Sequence, residues 1–273
     1  MRKITVAMLI AILIVISGCI KEPSGQEIVQ KIILGKKNIV SYGFDTNTAF
    51  TVKVNTTEES SEFHREETGI FTLHAEGFLD VMNNESVANA TYNMYNDAGK
   101  PPMRFVRYVR NDTVYATYGH GWFRDSYFAP RMSYLDTIYE TLERTNETEI
   151  SLNETEGHYI ITMKLDTAAN EDVYAYNVFF NILFLPTAGV YPWYIENLSA
   201  AFVQVSVDRQ TFRIDEYRVY AYGVYYNQTI GRESVEYVAT GRIYDYNKSI
   251  QIDVPPEAED AEWFPAGVIS VIL

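Results

Sequence analysis

The stretch Phe44-Asp45-Thr46-Asn47-Thr48-Ala49-Phe50-Thr51-Val52-Lys53-Val54-Asn55 decides the fold class. Successive side chains of a strand point to opposite faces, so Phe44, Thr46, Thr48, Phe50, Val52 and Val54 share one face. Asp45, Asn47, Ala49, Thr51, Lys53 and Asn55 share the other. Such a segment is a long half-buried strand, and it needs neighbours of the same kind.

The chain supplies them on both sides. Ile70 to Val81 and Val87 to Tyr95 are rich in β-formers, with weaker alternation. Met103 to Arg110 and Thr113 to Tyr118 flank Asn111-Asp112, a pair that tolerates the positive φ angles of a tight hairpin, and Gly119-His120-Gly121-Trp122 closes the second arm. Glu149 to Leu152 and Tyr159 to Leu165 form a hairpin around Gly157. Ala201 to Val207, Phe212 to Tyr222, Ser234 to Tyr244 and a short final strand, Ile250 to Val254, complete the set before Pro255-Pro256.

Helical patterns interrupt the strands. Ser24-Gly25-Gln26-Glu27 is a capping box ahead of Ile28, Val29, Ile32 and Ile33, with Gly35 as a stop. Leu135, Ile138, Tyr139 and Leu142 form a second stripe. A third helix is expected from about Asn170 to Phe184, apolar nearly all round and so covered on more than one side. No internal repeat or linker divides the chain, which predicts one domain over residues 24–264.

Composition narrows the function classes. The chain has 273 residues, with 36 acids against 22 bases and a formal charge of −14. That balance argues against nucleic acid as a partner, because phosphate binding needs clustered Lys and Arg. The single Cys rules out an internal disulfide and a Cys-rich zinc site. Tyr, at 22, suits half-exposed strands with the ring packed and the hydroxyl wet; Tyr108, Tyr115, Tyr217, Tyr220 and Tyr237 are also candidates to line a cavity.

The first residues carry a targeting signal. Arg2 and Lys3 precede an apolar run from Val6 to Ile16, which stops at Ser17-Gly18-Cys19. A short basic region, an apolar run of this length and small residues make an export signal rather than a stable membrane span. An uncleaved N-terminal anchor is the alternative. Ile16-Ser17-Gly18-Cys19 resembles the lipobox of lipoprotein precursors, which implies cleavage of residues 1–18 and lipid attachment at Cys19. Residues 19–23 are then a short lipidated tether. Cleavage removes two bases and no acid, so the exported part is more acidic still and is repelled by anionic headgroups.

Asn-x-Ser/Thr sequons stand at Asn55, Asn84, Asn89, Asn111, Asn146, Asn153, Asn197, Asn227 and Asn247. They mark candidate glycosylation sites on a surface outside the cell, although a chain rich in Asn and Thr also produces sequons by chance. With the lipobox they suit an archaeal cell-surface lipoprotein.

The order of helix, long strands, central helices and long strands resembles the outer-membrane lipoprotein carrier (LolA) superfamily and its lipoprotein relatives of the LppX and LprG kind. The resemblance rests on Gly25 to Ile33 leading into Tyr42-Gly43-Phe44, on Val109-Arg110-Asn111-Asp112-Thr113-Val114-Tyr115, on Gly121-Trp122, and on Tyr246-Asn247 to Pro256-Glu257-Ala258. It implies an α+β fold: a strongly curved antiparallel β half-barrel with helices packed on its concave side. It also implies an apolar cavity for an acyl chain or whole lipid. Phe50, Val52, Leu135, Ile138, Leu142, Tyr176, Phe180 and Leu183 are the candidate cavity residues.

No catalytic pattern stands against this. There is no Gly-x-Ser-x-Gly elbow, phosphate-cradling loop or His-Glu-x-x-His pair. His64, His74, His120 and His158 are scattered, and Glu140 with Glu143 reads as a solvated helix edge. No enzyme activity, cofactor or metal is expected. Glu257, Glu259, Asp260 and Glu262 read as an acidic solubilising tail, and residues 265–273 as an apolar C-terminal tail too short to span a bilayer. The expectation is an extracytoplasmic protein, lipid-anchored to the cell membrane, that binds or carries a lipid or other long hydrophobic molecule. The alternative is a non-enzymatic envelope interaction or support module with an envelope protein partner and no ligand cavity.

Overall fold

The computed structural model describes residues 23–54, 68–94, 102–117, 121–125, 134–144, 150–164, 195–227 and 231–263. The alternation at Phe44 becomes β1 (Ser41–Val54), with Tyr42, Phe44, Thr46 and Thr48 buried and Asn47 exposed. On its two sides lie β2 (Thr68–Asp80) and β11 (Gly231–Tyr244), both antiparallel to it. The chain runs outward from β1 as a meander through β2, β3 (Glu85–Met94), β4 (Met103–Arg110), β5 (Thr113–Thr117) and β6 (Trp122–Asp125). A second meander, β7 (Ile150–Thr155), β8 (His158–Lys164), β9 (Ile195–Asp208), β10 (Ile214–Asn227) and β11, returns to β1 from the other side.

The result is one sheet in the order β12-β6-β5-β4-β3-β2-β1-β11-β10-β9-β8-β7, open at β7 and at β12 (Glu262–Trp263). Among the described residues only the β12–β6 pairing is parallel. The expected hairpins are present: Asn111 and Asp112 have φ of 50° and 57°, and Gly157 has φ of 91°.

Helix α1 (Gly25–Lys36) begins on the expected capping box: the Ser24 amide donates to Glu27 Oε2 at 2.8 Å, and the Glu27 amide donates to Ser24 Oγ at 3.3 Å. Helix α2 (Tyr134–Arg144) carries the second apolar stripe. Ile28 and Ile32 from α1 and Leu135, Ile138 and Leu142 from α2 join strand residues such as Val203, Val205, Tyr237 and Ile243 in one buried cluster. Lys36 and Asp136, 3.1 Å apart, link the two helices at the rim. Both helices thus cover the same face of an antiparallel sheet. The expected helix from about Asn170 to Phe184 lies outside the described residues.

The expected strand at Ile250 to Val254 is not formed. At that end of the sheet β1 already has a partner on each side, so no free edge remains to pair with it. The segment instead buries Ile252 and Val254. In the acidic stretch beyond it Glu257, Glu259, Asp260 and Glu262 are exposed, as a solubilising face requires, but the backbone is not a loose tail. It forms a single turn, α3 (Pro256–Glu259), with Ala258 buried, and then β12. Arg124 donates to the Glu259 carbonyl at 2.9 Å, and the Arg110 guanidinium lies 3.6 Å from the Glu259 carboxylate.

Tight crossings hold the centre of the sheet. Gly241 pairs with Thr46 on one side and Tyr217 on the other. The Tyr217 ring lies across Gly241, where a Cβ would meet it at 2.4 Å, and its hydroxyl shares a 2.5 Å hydrogen bond with Thr46 Oγ1. On the opposite face Tyr244 crosses Gly43 and meets Phe78 edge-on at 6.0 Å. At Gly77, a Cβ would come within 2.0 Å of the Val87 carbonyl oxygen.

Tyr217→Phe is expected to lower the urea unfolding free energy by about 1–3 kcal/mol, because it strands a buried Thr46 hydroxyl. Adding Thr46→Val should recover part of that loss in a double-mutant cycle. Gly77→Ala should cost about 1–3 kcal/mol through forced backbone movement. Additive losses in the cycle would contradict the bridge.

Candidate functional site

Alternation gives the sheet two distinct faces. The buried face carries small side chains over much of its width: Thr46 and Thr48 on β1, Ala75 on β2, Ala88 and Ala90 on β3, Ala201 on β9, Ala221 on β10 and Ala239 on β11. All are buried. Of the candidate cavity residues, Leu135, Ile138 and Leu142 are buried on this face in the main cluster. The side chains of Phe50 and Val52, and all of Tyr176, Phe180 and Leu183, lie outside the described residues.

Among the described residues one charged side chain is buried on this face. Arg107 is 7% exposed, on β4 between Phe105 and Val109. Phe105 belongs to the main cluster, whereas Val109 joins Val114 and Ala116 in a smaller one. Buried arginines are rare without a specific role. The pattern Met103-Arg104-Phe105-Val106-Arg107 carried the signal, because Arg107 has the inward parity of Phe105.

The tyrosines divide between the faces. Tyr217 and Tyr237 are buried on the apolar side, whereas Tyr108, Tyr115 and Tyr220 stand on the other, so these three do not line the buried face. Tyr220 stacks on Phe202 at 5.2 Å, and burial raises its phenol pKa, with the Glu236 carboxylate adding to the shift. Tyr139 and Tyr246 have pKa values raised far above the ordinary phenol by burial, so both stay protonated. Tyr246 donates to the Ile214 carbonyl at 2.6 Å.

The outer face holds a hollow of 530 Å³. Arg218 and Arg242 line it with Asp45 and Glu216, the amides of Asn47 and Gln204, the hydroxyls of Ser206 and Thr240, and Ile160. Asp45 lies 3.5 Å from Arg242 and 3.6 Å from His74, which also contacts Asn47 at 3.0 Å. A second hollow of 380 Å³ is lined by Asp215, Glu216, Arg242, Ile243 and Tyr244. Charged groups line both hollows, two acids with two bases in the first and two acids with one base in the second.

Near the second hollow, His158, Asp208 and Asp215 converge although 57 residues of sequence separate the first from the last. His158 Nε2 is 3.2 Å from Asp215 Oδ2. The Asp208 pKa is lowered by hydrogen bonds from the Thr211 amide and hydroxyl, whereas Asp215 is raised by burial, partly offset by His158. Scattered sequence positions hid this cluster. His64 and His120 lie outside the described residues, and Glu140 and Glu143 are exposed.

The sequons differ in what their side chains do. Asn89, Asn111, Asn153 and Asn247 are exposed. Asn84 donates to Asp112 at 3.1 Å. Asn247 is committed to the fold: its Nδ2 donates to the Asn38 carbonyl and its Oδ1 accepts from the Val40 amide, both at 2.8 Å. The side chains of Asn197 and Asn227, and all of Cys19, Asn55 and Asn146, lie outside the described residues.

No family model matches the chain, and no curated protein matches it in sequence. Among solved structures it is similar to LprF from Mycobacterium bovis, with a TM-score of 0.39 and 11% identity over 84% of this chain and 96% of that one. A lipovitellin structure, described for its lipid–protein interactions, matches with a TM-score of 0.37 and 8% identity over 84% of this chain and 28% of that one. A β-barrel-like protein of unknown function from Brucella abortus matches with a TM-score of 0.24 and 7% identity over 74% of this chain and 98% of that one.

Asn247→Ala is expected to lower the unfolding free energy by about 0.5–1.5 kcal/mol, because it removes two hydrogen bonds that tie the exposed residues Asn38 and Val40 to a segment 207 residues beyond Val40. Asn153→Ala should change it by less than about 0.5 kcal/mol, as an exposed position away from such features. Equal effects in denaturant titration would contradict the structural role of Asn247.

Proposed function

We propose that the chain is a lipid-anchored, extracytoplasmic protein of the cell membrane that holds a lipid or other long apolar molecule against the buried face of its sheet. In this reading residues 1–18 are removed, Cys19 carries the lipid, residues 24–264 form the binding domain, and the sheet curves around the ligand with the helices inside its concavity. The observation that carries the proposal is the run of small buried side chains across β1–β3 and β9–β11. Small side chains leave depth under a cover, and a slender acyl chain fills such depth without polar partners.

Two further observations support it. The sheet is open at both ends, so a ligand can enter without breaking a closed barrel. Arg107 places positive charge on the apolar face, where it meets a carboxylate or phosphate headgroup at the end of the chain it holds. In this reading the function is binding rather than catalysis.

A second reading has its own observation. The 530 Å³ hollow on the outer face is lined by paired charges and hydrogen-bonding groups, which suits an envelope interaction module that recognises a partner there and keeps a filled core.

Fluorescent fatty-acid titration separates the two. The chain should bind the probe saturably, and Ala90→Trp should abolish binding while circular dichroism shows an unchanged sheet. Arg107→Met should weaken the fatty acid at least about tenfold, equivalent to one lost charge-assisted contact, and leave a neutral long-chain alcohol nearly unchanged. Absence of saturable binding favours the interaction module. In cells, Cys19→Ser should move the protein from the membrane fraction to the soluble one; retention in the membrane contradicts the lipid anchor.

A further inference from the structure

We propose that His158, Asp208 and Asp215 form a binding site for a divalent transition-metal ion of the zinc type on the outer face of the sheet. One ligand atom from each lies within 4.8 Å of the others. The three come from three adjacent strands: His158 opens β8, Asp208 ends β9 as its cross-strand partner, and Asp215 lies near the start of β10.

A β-bulge makes this convergence possible. The register of β9 against β10 shifts between Ile214 and Glu216, so Asp215 falls out of the ladder. Ile214 and Tyr217 are both buried three positions apart, which turns Asp215 and Glu216 together toward the outer face. Without the extra residue Asp215 would take the inward parity. Bulges recur where a side chain must be re-aimed in this way.

The ligand set has a chemical preference. One imidazole nitrogen with two carboxylate oxygens suits zinc and its neighbours better than magnesium or calcium, which favour all-oxygen shells. Hydrogen bonds fix the Asp208 carboxylate in place, since its Oδ1 accepts from the Gln210 amide at 3.1 Å, the Thr211 amide at 2.7 Å and the Thr211 hydroxyl at 2.8 Å. Its other oxygen is left to face the ion, the arrangement by which outer contacts orient a ligating carboxylate. A tetrahedral zinc shell spaces its ligand atoms by about 3.4 Å, so half-exposed side chains must close by about an ångström, within the reach of χ rotation.

Neighbouring cations are drawn elsewhere. Arg209 lies 3.3 Å from Glu154 and stacks over Tyr159, and Arg213 lies over the Tyr246 ring. The hollow beside Asp215 gives an ion and its remaining water ligands access from solvent. The site stands on the face opposite the proposed lipid, so either can exist without the other.

The test titrates Zn²⁺ into untagged, EDTA-treated full chain carrying Cys19→Ser, which removes the thiol background, with calorimetry and thermal unfolding as readouts. One Zn²⁺ per chain and a raised unfolding midpoint are expected. His158→Gln and Asp215→Asn should each weaken binding at least about tenfold, and Thr211→Val by about 10–100-fold through loss of the outer contact to Asp208. The proposal is overturned if no saturable binding occurs, or if these variants bind Zn²⁺ as the parent does, which would leave the cluster a simple ion pair.

Discussion

The structure depends on Tyr217 crossing Gly241 to reach Thr46. Among the described strands the two meanders pair only at β1 and β11, and that ladder joins residues near opposite ends of the sequence. Long-range pairing of this kind gains nothing until the whole loop between the strands has been ordered. A ring that spans three strands ties β10, β11 and β1 together at one row, on the buried face. Tyr244 crossing Gly43 to Phe78 repeats the device on the other face and ties in β2. Both crossings need a glycine, since a Cβ would occupy the space of the ring. The seam between the halves is therefore fixed from both sides.

A single sheet with one covered face then separates two chemistries. The buried side gathers helix stripes, small side chains and Arg107, and the proposed lipid would lie there. The outer side gathers hydrogen-bonding groups, balanced charges and the His158 cluster. Short helices sharpen the division: at 1.5 Å per residue, α1 and α2 extend about 18 Å and 16 Å, whereas twelve strands at 4.8 Å spacing span about 53 Å measured along the sheet. Small buried residues run across the face from β9–β11 through β1 onto β2 and β3.

Much of the architecture was legible in the sequence because period-two alternation and turn chemistry are local. The face assignment of Phe44, Thr46 and Thr48, the Ser24 capping box and the Asn111-Asp112 hairpin all follow from a few adjacent residues. The strand expected at Ile250 to Val254 failed for a non-local reason, since its pattern is strand-like but no free edge lies beside it. The inward tyrosines were separable from Tyr108, Tyr115 and Tyr220 by parity alone. Arg107 was likewise visible as a charged residue in an inward register. The His158 cluster was not legible, because it depends on a bulge at Asp215 that no composition signal marks. The outer hollow depends in the same way on which strands become neighbours.

Native mass spectrometry of the chain, extracted gently from its own membrane and freed of detergent in the gas phase, tests the central claim most directly. A bound lipid or other long apolar molecule, retained in about one copy per chain and lost in the Ala90→Trp variant, is the result expected. A chain that appears only at its own mass, and stays so after incubation with its membrane lipids, would contradict the account.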